Sequence, residues 1–373
     1  MFLKTKFKTR LIFSVLMLGA TALTLTTSTF AWFATNRNAW FDEIELQIGN
    51  ADSLLVSVDG SSYRSSIPSD MLKRAVVAKK LGIDYNDSRL DEETYLKSEW
   101  AKVSLEPITT YDLDTFNGID NKHVLTEDEN GKELEEKTFI LHEIEEKTSY
   151  LYLEFDVWFK MEASKNASKT YDLKLVNDEY IESEKNSGNT VQASYITGNE
   201  TNILLYNELN AKGTEYKSGD FITVNTQDAM RVGIKRINED TNEVEDRYIF
   251  EPYEGLGSYA LEEYINTTDE AYSKYDPNKN AMFTYFNNVN EAKLKPLSNL
   301  DFDYTTKVFR NGLKDDISLG EIAPNQSSTD YNELKLTISV WLEGFDADYI
   351  IGIKNNSLKM YLNFYAEEKD SNE

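Results

Sequence analysis

Three stretches of this chain alternate strictly between apolar and polar residues, and they limit the fold more than anything else in it. In Leu151–Met161 the residues Leu151, Leu153, Phe155, Val157, Phe159 and Met161 share one phase; Tyr152, Glu154, Asp156, Trp158 and Lys160 share the other. Leu334, Leu336, Ile338, Val340 and Leu342 alternate with Lys335, Thr337, Ser339, Trp341 and Glu343. Leu358, Met360, Leu362 and Phe364 alternate with Lys359, Tyr361, Asn363 and Tyr365. Period two is the signature of a strand with one buried and one wet face. A parallel α/β sheet is covered on both sides, and its strands are apolar throughout. The alternation therefore predicts a mainly β chain, an antiparallel β-sandwich with helical and loop insertions.

Other segments fill in the order. Phe41–Ile48 sets Ile44, Leu46 and Ile48 against Glu43, Glu45 and Gln47 as a first strand, and Leu54–Val58 follows, closed by the turn pair Asp59-Gly60. Ser69 or Asp70 is placed to cap a helix running through Leu81 and stopped by Gly82, with Met71, Leu72, Val76, Val77 and Leu81 as its apolar stripe. Asn130-Gly131 is a hairpin signal. Tyr171–Val176 reads as the hairpin mate of Leu151–Met161 through the polar loop Ala163–Lys169. Ile203–Tyr206, Phe221–Val224, Met230–Ile237 and Tyr248–Phe250 are further strands, Tyr259–Ile265 a short helix and Ala281–Phe286 a strand. The organisation expected is residues 1–31 as a separate leader and 32–373 as one sandwich domain, with insertions at about 61–147 and 252–325.

The leader rests on Leu11–Phe33. Lys4, Lys6, Lys8 and Arg10 precede an uncharged apolar run, Leu11–Leu25, and Thr29-Phe30-Ala31 offers a small residue at −3 and Ala at −1 of a cut before Trp32. That order is a secretory signal peptide, and cleavage is expected between Ala31 and Trp32, with Thr29 at −3. The competing reading is a retained anchor, since Leu11–Ala31 is just long enough for a bilayer core of ~30 Å. Either way the remainder is expected outside the membrane, secreted or tethered at the cell surface. The chain has 373 residues, a formal charge of −26 and no cysteine. Such acidity excludes nucleic acid as a partner. Disulfides, thiolate zinc sites and cysteine nucleophiles are excluded outright.

The segment TSTFAWFATNRNAWFDEIELQIGN resembles the export region of the camelysin/TasA-type proteins of Gram-positive bacteria. There a Thr-aromatic-Ala site cut by a dedicated signal peptidase precedes an aromatic start, an Asn or Asp and the first sandwich strand. Thr29-Phe30-Ala31, Trp32-Phe33 and Asn36 fit that layout. LEPITTYD at Leu105–Asp112, AMRVGI at Ala229–Ile234 and SVWLEGFDAD at Ser339–Asp348 resemble the wider group. The resemblance implies a jelly-roll-like sandwich and a role as a biofilm-matrix fibre subunit or surface protein, with other copies or matrix proteins as partners. This chain departs from it in its longer insertions and in lacking HExxH, which leaves a camelysin-like protease without a recognisable zinc site.

Signs of chemistry are sparse. His123 and His142 are the two histidines, and their spacing fits no zinc motif. No GxSxG, P-loop or GxGxxG occurs. Paired carboxylates for a glycosidase cannot be picked out of so acidic a sequence. No catalytic residue and no cofactor is assigned, save a weak calcium pattern: Asp276, Asn278 and Asn280 have the opening spacing of a calcium loop, though Ala281 and Asn287 stand where its Gly and Glu belong, and Asp346 and Asp348 form a second oxygen pair. Trp158 and Trp341 lie on the polar phase of their strands, where an aromatic row either stacks on glycans or a partner or is covered by an inserted helix. Trp32 and Phe33 pose the same choice for the new N-terminus: folding back, or entering a neighbouring subunit. The function expected is a secreted structural protein assembling through its N-terminal segment; the alternative is a glycan-binding adhesin.

Overall fold

A computed structural model describes residues 39–369, except 50–52, 111, 128–132, 145–149, 163–168, 177, 193, 204–207, 210–214, 217–220, 251–293, 298–300, 304–307, 311–316, 326–329 and 345–356. Ala39–Glu373 forms one unit. Its strands are, in order, β1 (Trp40–Ile48), β2 (Leu54–Ser57), β3 (Ser66–Ile67), β4 (Pro107–Thr110), β5 (Phe116–Glu127), β6 (Glu133–Glu143) and β7 (Leu153–Met161). Then come β8 (Tyr171–Leu175), β9 (Tyr195–Thr197), β10 (Asn199–Ile203), β11 (Glu208–Leu209), β12 (Glu215–Tyr216), β13 (Phe221–Asn225), β14 (Met230–Ile237) and β15 (Val244–Phe250). The last are β16 (Lys295–Pro296), β17 (Asp301–Asp303), β18 (Val308–Arg310), β19 (Gly320–Ile322), β20 (Leu334–Glu343) and β21 (Ser357–Glu368). Helices α1 (Ser69–Leu81), α2 (Glu93–Trp100) and α3 (Asp178–Asn186) are inserted between them.

Two mostly antiparallel sheets face each other, as the alternation predicts. The smaller runs β19-β8-β21-β1-β3, with β9 beside β21. The larger runs β16-β15-β14-β20-β4-β5-β6, and β7 carries β2 along the stretch of β20 that β4 does not reach. The apolar phases of β7, β20, β14, β21 and β1 meet in one core. Phe159 and Phe364, from opposite sheets, lie 4.8 Å apart between ring centroids. Parallel pairs also occur: β1 runs alongside β21 from Trp40↔Ser357 to Ile48↔Phe364, joining the first strand to the last.

Several expectations need correction. Tyr171–Leu175 does not pair with Leu151–Met161; β8 pairs with β21 and β19 in the smaller sheet, while β7 pairs with β2 and β20 in the larger. Alternation assigns faces, and the polar link between the two strands crosses from one sheet to the other. Helix α1 ends as expected, with Gly82 left-handed at φ 62°. Its N-cap is Pro68, which has no side-chain acceptor, and the Ser69 hydroxyl instead accepts from the Ile44 N–H of β1. Its buried face is Leu72, Ala75, Val76, Val77 and Ala78; Leu81 is exposed. Within the 61–147 stretch, β4, β5 and β6 extend the larger sheet, β5 and β6 flanking the predicted Asn130-Gly131 turn. Tyr259–Ile265 and Ala281–Phe286 lie outside the described residues.

The core's edge beside β15 has a titratable lining. Tyr248 is buried, and its hydroxyl donates to the Ser318 carbonyl at 3.1 Å. Burial, and then the charge of Asp246, push its pKa up to about 12. The unfolded phenol titrates near 10. A raised folded value means that the neutral ring's contribution to stability is intact below about pH 10 and is lost as pH rises toward 12. Tyr63 and Tyr150 are raised by burial in the same direction. Alkaline unfolding followed by circular dichroism should therefore steepen between about pH 10 and 12, and Tyr248→Phe should flatten part of that slope while lowering neutral-pH stability by about 1 kcal/mol for the lost hydrogen bond.

Candidate contact surfaces

The outer face of the larger sheet divides into a dry half and a wet half. The turn after β4 places Leu113, at φ 59°, over Gly233, where any Cβ would come within 2.4 Å of the leucine side chain. Ile108, Leu113, Phe116, Leu151, Ile249, Leu294 and Trp341 then form a second, smaller core on the outside of the sheet. Trp341 is completely buried there. Its Nε1–H donates to the buried Glu343 carboxylate at 2.9 Å, and the Thr109 hydroxyl donates to the same oxygen at 3.3 Å. Arg231 stands opposite Trp341 in the β14–β20 register, so it emerges on this face too, also fully buried. Trp341 is thus no glycan or partner contact. Among the described residues its cover includes Leu113 of the β4–β5 turn and Phe116 at the start of β5.

Trp158 lies in the wet half. It is half-buried, with the Lys335 ammonium 5.0 Å from its ring centroid, and a Cβ added at Gly60, left-handed at φ 69°, would come within 3.4 Å of the indole. The neighbouring Tyr63 ring has Lys160 at 4.1 Å. Ammonium groups over aromatic faces are favourable contacts, and they occupy surface that a sugar would need. Along the same face, Asp156 accepts from the Thr337 hydroxyl at 2.6 Å and pairs with Lys79 of α1 at 2.9 Å, and Lys235 reaches Asp114 and Glu154 at 3.3 and 3.6 Å. Lys79 of helix α1 thus reaches this face.

The smaller sheet carries an aromatic surface that the sequence reading missed. Tyr195 and Tyr361 stack at 4.7 Å, and Tyr180 of α3 stacks on Tyr365 at 4.0 Å. The first pair is half-buried and adjoins Glu43, whose carboxyl is held below its usual range by hydrogen bonds from Lys359 and then Tyr361. Its signal was present: Tyr361 and Tyr365 fall on the polar phase of the last strand, as Trp158 does on β7.

A cleft of about 400 Å³ opens beside α1, lined by Asp59, Arg64, Asp70, Arg74, Tyr85 and Asp91 among others. Burial works to raise the Asp59 pKa, but hydrogen bonds from Ser57, Ser62 and Ser61 outweigh it and hold the carboxyl well below the carboxylate range. Arg74 is bound to Asp91 at 2.8 Å and to the Tyr85 carbonyl at 2.7 Å. These groups hold one another.

His123 stands opposite Lys137, and His142 opposite Gly118, so the two histidines are about 16 Å apart along the β5–β6 pair at ~3.3 Å per residue. Among the described residues, no group of three or more His, Asp or Glu could hold a metal ion, and no helix is long and apolar enough to cross a membrane. Thr29, Ala31, Trp32, Phe33, Asp276, Asn278, Asn280, Asp346 and Asp348 lie outside the described residues. Comparison of the chain with known protein families, with curated proteins and with solved structures finds no match.

The two tryptophans are predicted to respond differently. Trp341→Ala empties a buried site and removes one donor to the Glu343 carboxylate, and should cost about 3–5 kcal/mol in urea denaturation. Trp158→Ala should cost clearly less, because its ring is only half removed from water; equal losses would contradict the division of this face.

Proposed function

We propose that this chain is an exported structural protein of the cell surface or biofilm matrix, and that its work is contact with other copies or matrix components. The observation that carries the reading is the order at its N-terminus: a basic stretch, an apolar run, the Thr29-Phe30-Ala31 site, and β1 beginning a few residues later at Trp40. Two features support it. A cysteine-free sandwich depends on its core alone and needs no oxidative folding machinery. Its outer faces carry half-buried aromatics beside charged groups, a composition suited to protein contacts.

In this reading Trp32 becomes the new N-terminus, and Trp32 and Phe33 seat in a neighbouring copy. N-terminal sequencing of secreted protein should begin at Trp32. A chain starting at Ala39 is the right truncation, since Ala39 and Phe41 are both fully buried and belong to the core. It should melt within a few degrees of the longer form but not assemble. Equal assembly by both forms would exclude the N-terminal route.

The second reading, a glycan-binding adhesin, is favoured by the half-buried Tyr195–Tyr361 pair. Tyr361→Ala and Trp158→Ala should then abolish retention on a glycan array without unfolding the protein. An array on which the unaltered protein finds no ligand removes that reading.

A further inference from the structure

The β5–β6 hairpin continues the larger sheet past the end of β4. Its register is unbroken from Asn117↔Glu143 to Glu127↔Glu133. Strand β4 supports only its base, at Phe116, Asn117 and Gly118. Among the described residues no strand pairs with β5 beyond Gly118, and none but β5 pairs with β6. An isolated two-stranded ribbon is marginal in water, and an open edge presents a row of backbone donors and acceptors to any strand that fits.

The sequence of that edge fits itself. Residues 137–143 read KTFILHE. Two copies laid antiparallel about Ile140 set Lys137 opposite Glu143, Thr138 opposite His142, Phe139 opposite Leu141 and Ile140 opposite itself. Both ends then carry opposite charges and the centre is apolar and β-branched or aromatic, the pairings that stabilise neighbouring strands. The segment has no Pro and no Gly, and its middle four residues are strong strand formers. Moving the register by one residue in either sense removes the Lys–Glu pairs. We propose that β6 is a self-recognition edge: two copies of this chain join β6 to β6 across a twofold axis and continue the larger sheet from one molecule into the other. This contact stands apart from the N-terminal route above. A twofold contact uses the same patch on both subunits and closes at the dimer, whereas seating an N-terminus in a neighbour propagates.

The test is charge reversal in the full chain, read by sedimentation. Within a single chain Lys137 faces His123 and Glu143 faces Asn117, so exchanging their charges creates no opposed like charges inside the ribbon. Lys137→Glu sets two Glu–Glu pairs across the axis and should weaken dimerisation about tenfold or more; the double variant K137E/E143K restores opposite charges and should recover it. As an independent reading, Ile140→Cys, the sole cysteine in the chain, should give a disulfide-linked dimer on mild oxidation, since residues paired on the axis fall within disulfide reach. A cysteine at Thr126, on β5, should not. A monomeric unaltered chain, no rescue by the double variant, or equal cross-linking at both cysteines would each overturn the proposal.

Discussion

The pairing of the first strand with the last is the contact on which the rest of this fold depends. Strand β1 enters between β21 and the N-terminal turn of α1, and its inner residues Phe41, Ile44 and Leu46 complete the core. The parallel register with β21 extends to the hydrogen bond from the Gly49 N–H to the Phe364 carbonyl. No covalent link can replace it in a chain without cysteine. Such a pairing closes a loop of some three hundred residues, which is costly in chain entropy and slow to form. Its compensation is burial: the inner phases of both strands are almost wholly removed from water.

The same strand shows how this fold treats its edges. On the side away from β21, β3 pairs only with Leu46 and Gln47. The remaining backbone groups are met by α1, where Ser69 accepts from Ile44 N–H and the Lys73 ammonium donates to the Asp42 carbonyl at 2.6 Å. A helix turn thus blocks an edge that would otherwise invite another strand. This is why Ser69 does not cap its own helix. The hydroxyl that local sequence assigns to the helix start is used in a tertiary contact, and Pro68, with its fixed φ, starts the helix without it.

How far the fold was legible follows from what periodicity measures. Alternation reports which residues share a face, and it located β1, β7, β20 and β21 correctly. It carries no information on partners, so Tyr171–Leu175 could not be assigned to a sheet from its pattern. Nor does a polar phase guarantee exposure. Trp341 sits among Ser339 and Glu343, yet the β4–β5 turn builds a second small core over it, and the neighbouring polar groups are satisfied inside by the Trp341 indole and Thr109. The signal for that cover was Leu113, an apolar residue in an acidic turn held at positive φ where a leucine is uncommon. Trp158 on the same phase stayed nearer water, with the Lys335 ammonium lying over its ring.

Charge sets the terms on which copies of this chain can meet. At −26 each, two copies repel at long range, and this keeps incidental contacts from lasting. That repulsion is screened beyond ~8 Å at physiological ionic strength, so at contact the outcome rests on local pairing. An acidic protein therefore selects against loose association and in favour of edges that bring their own opposite charges. Residues 137–143, with a lysine at one end and a glutamate at the other, have that property, while the acidic run Glu133–Glu136 beside them does not. Repulsion between those flanking carboxylates confines pairing to the short central segment. It helps to fix the register, because a one-residue slip in either sense sets Glu136 opposite Glu143 or Glu145.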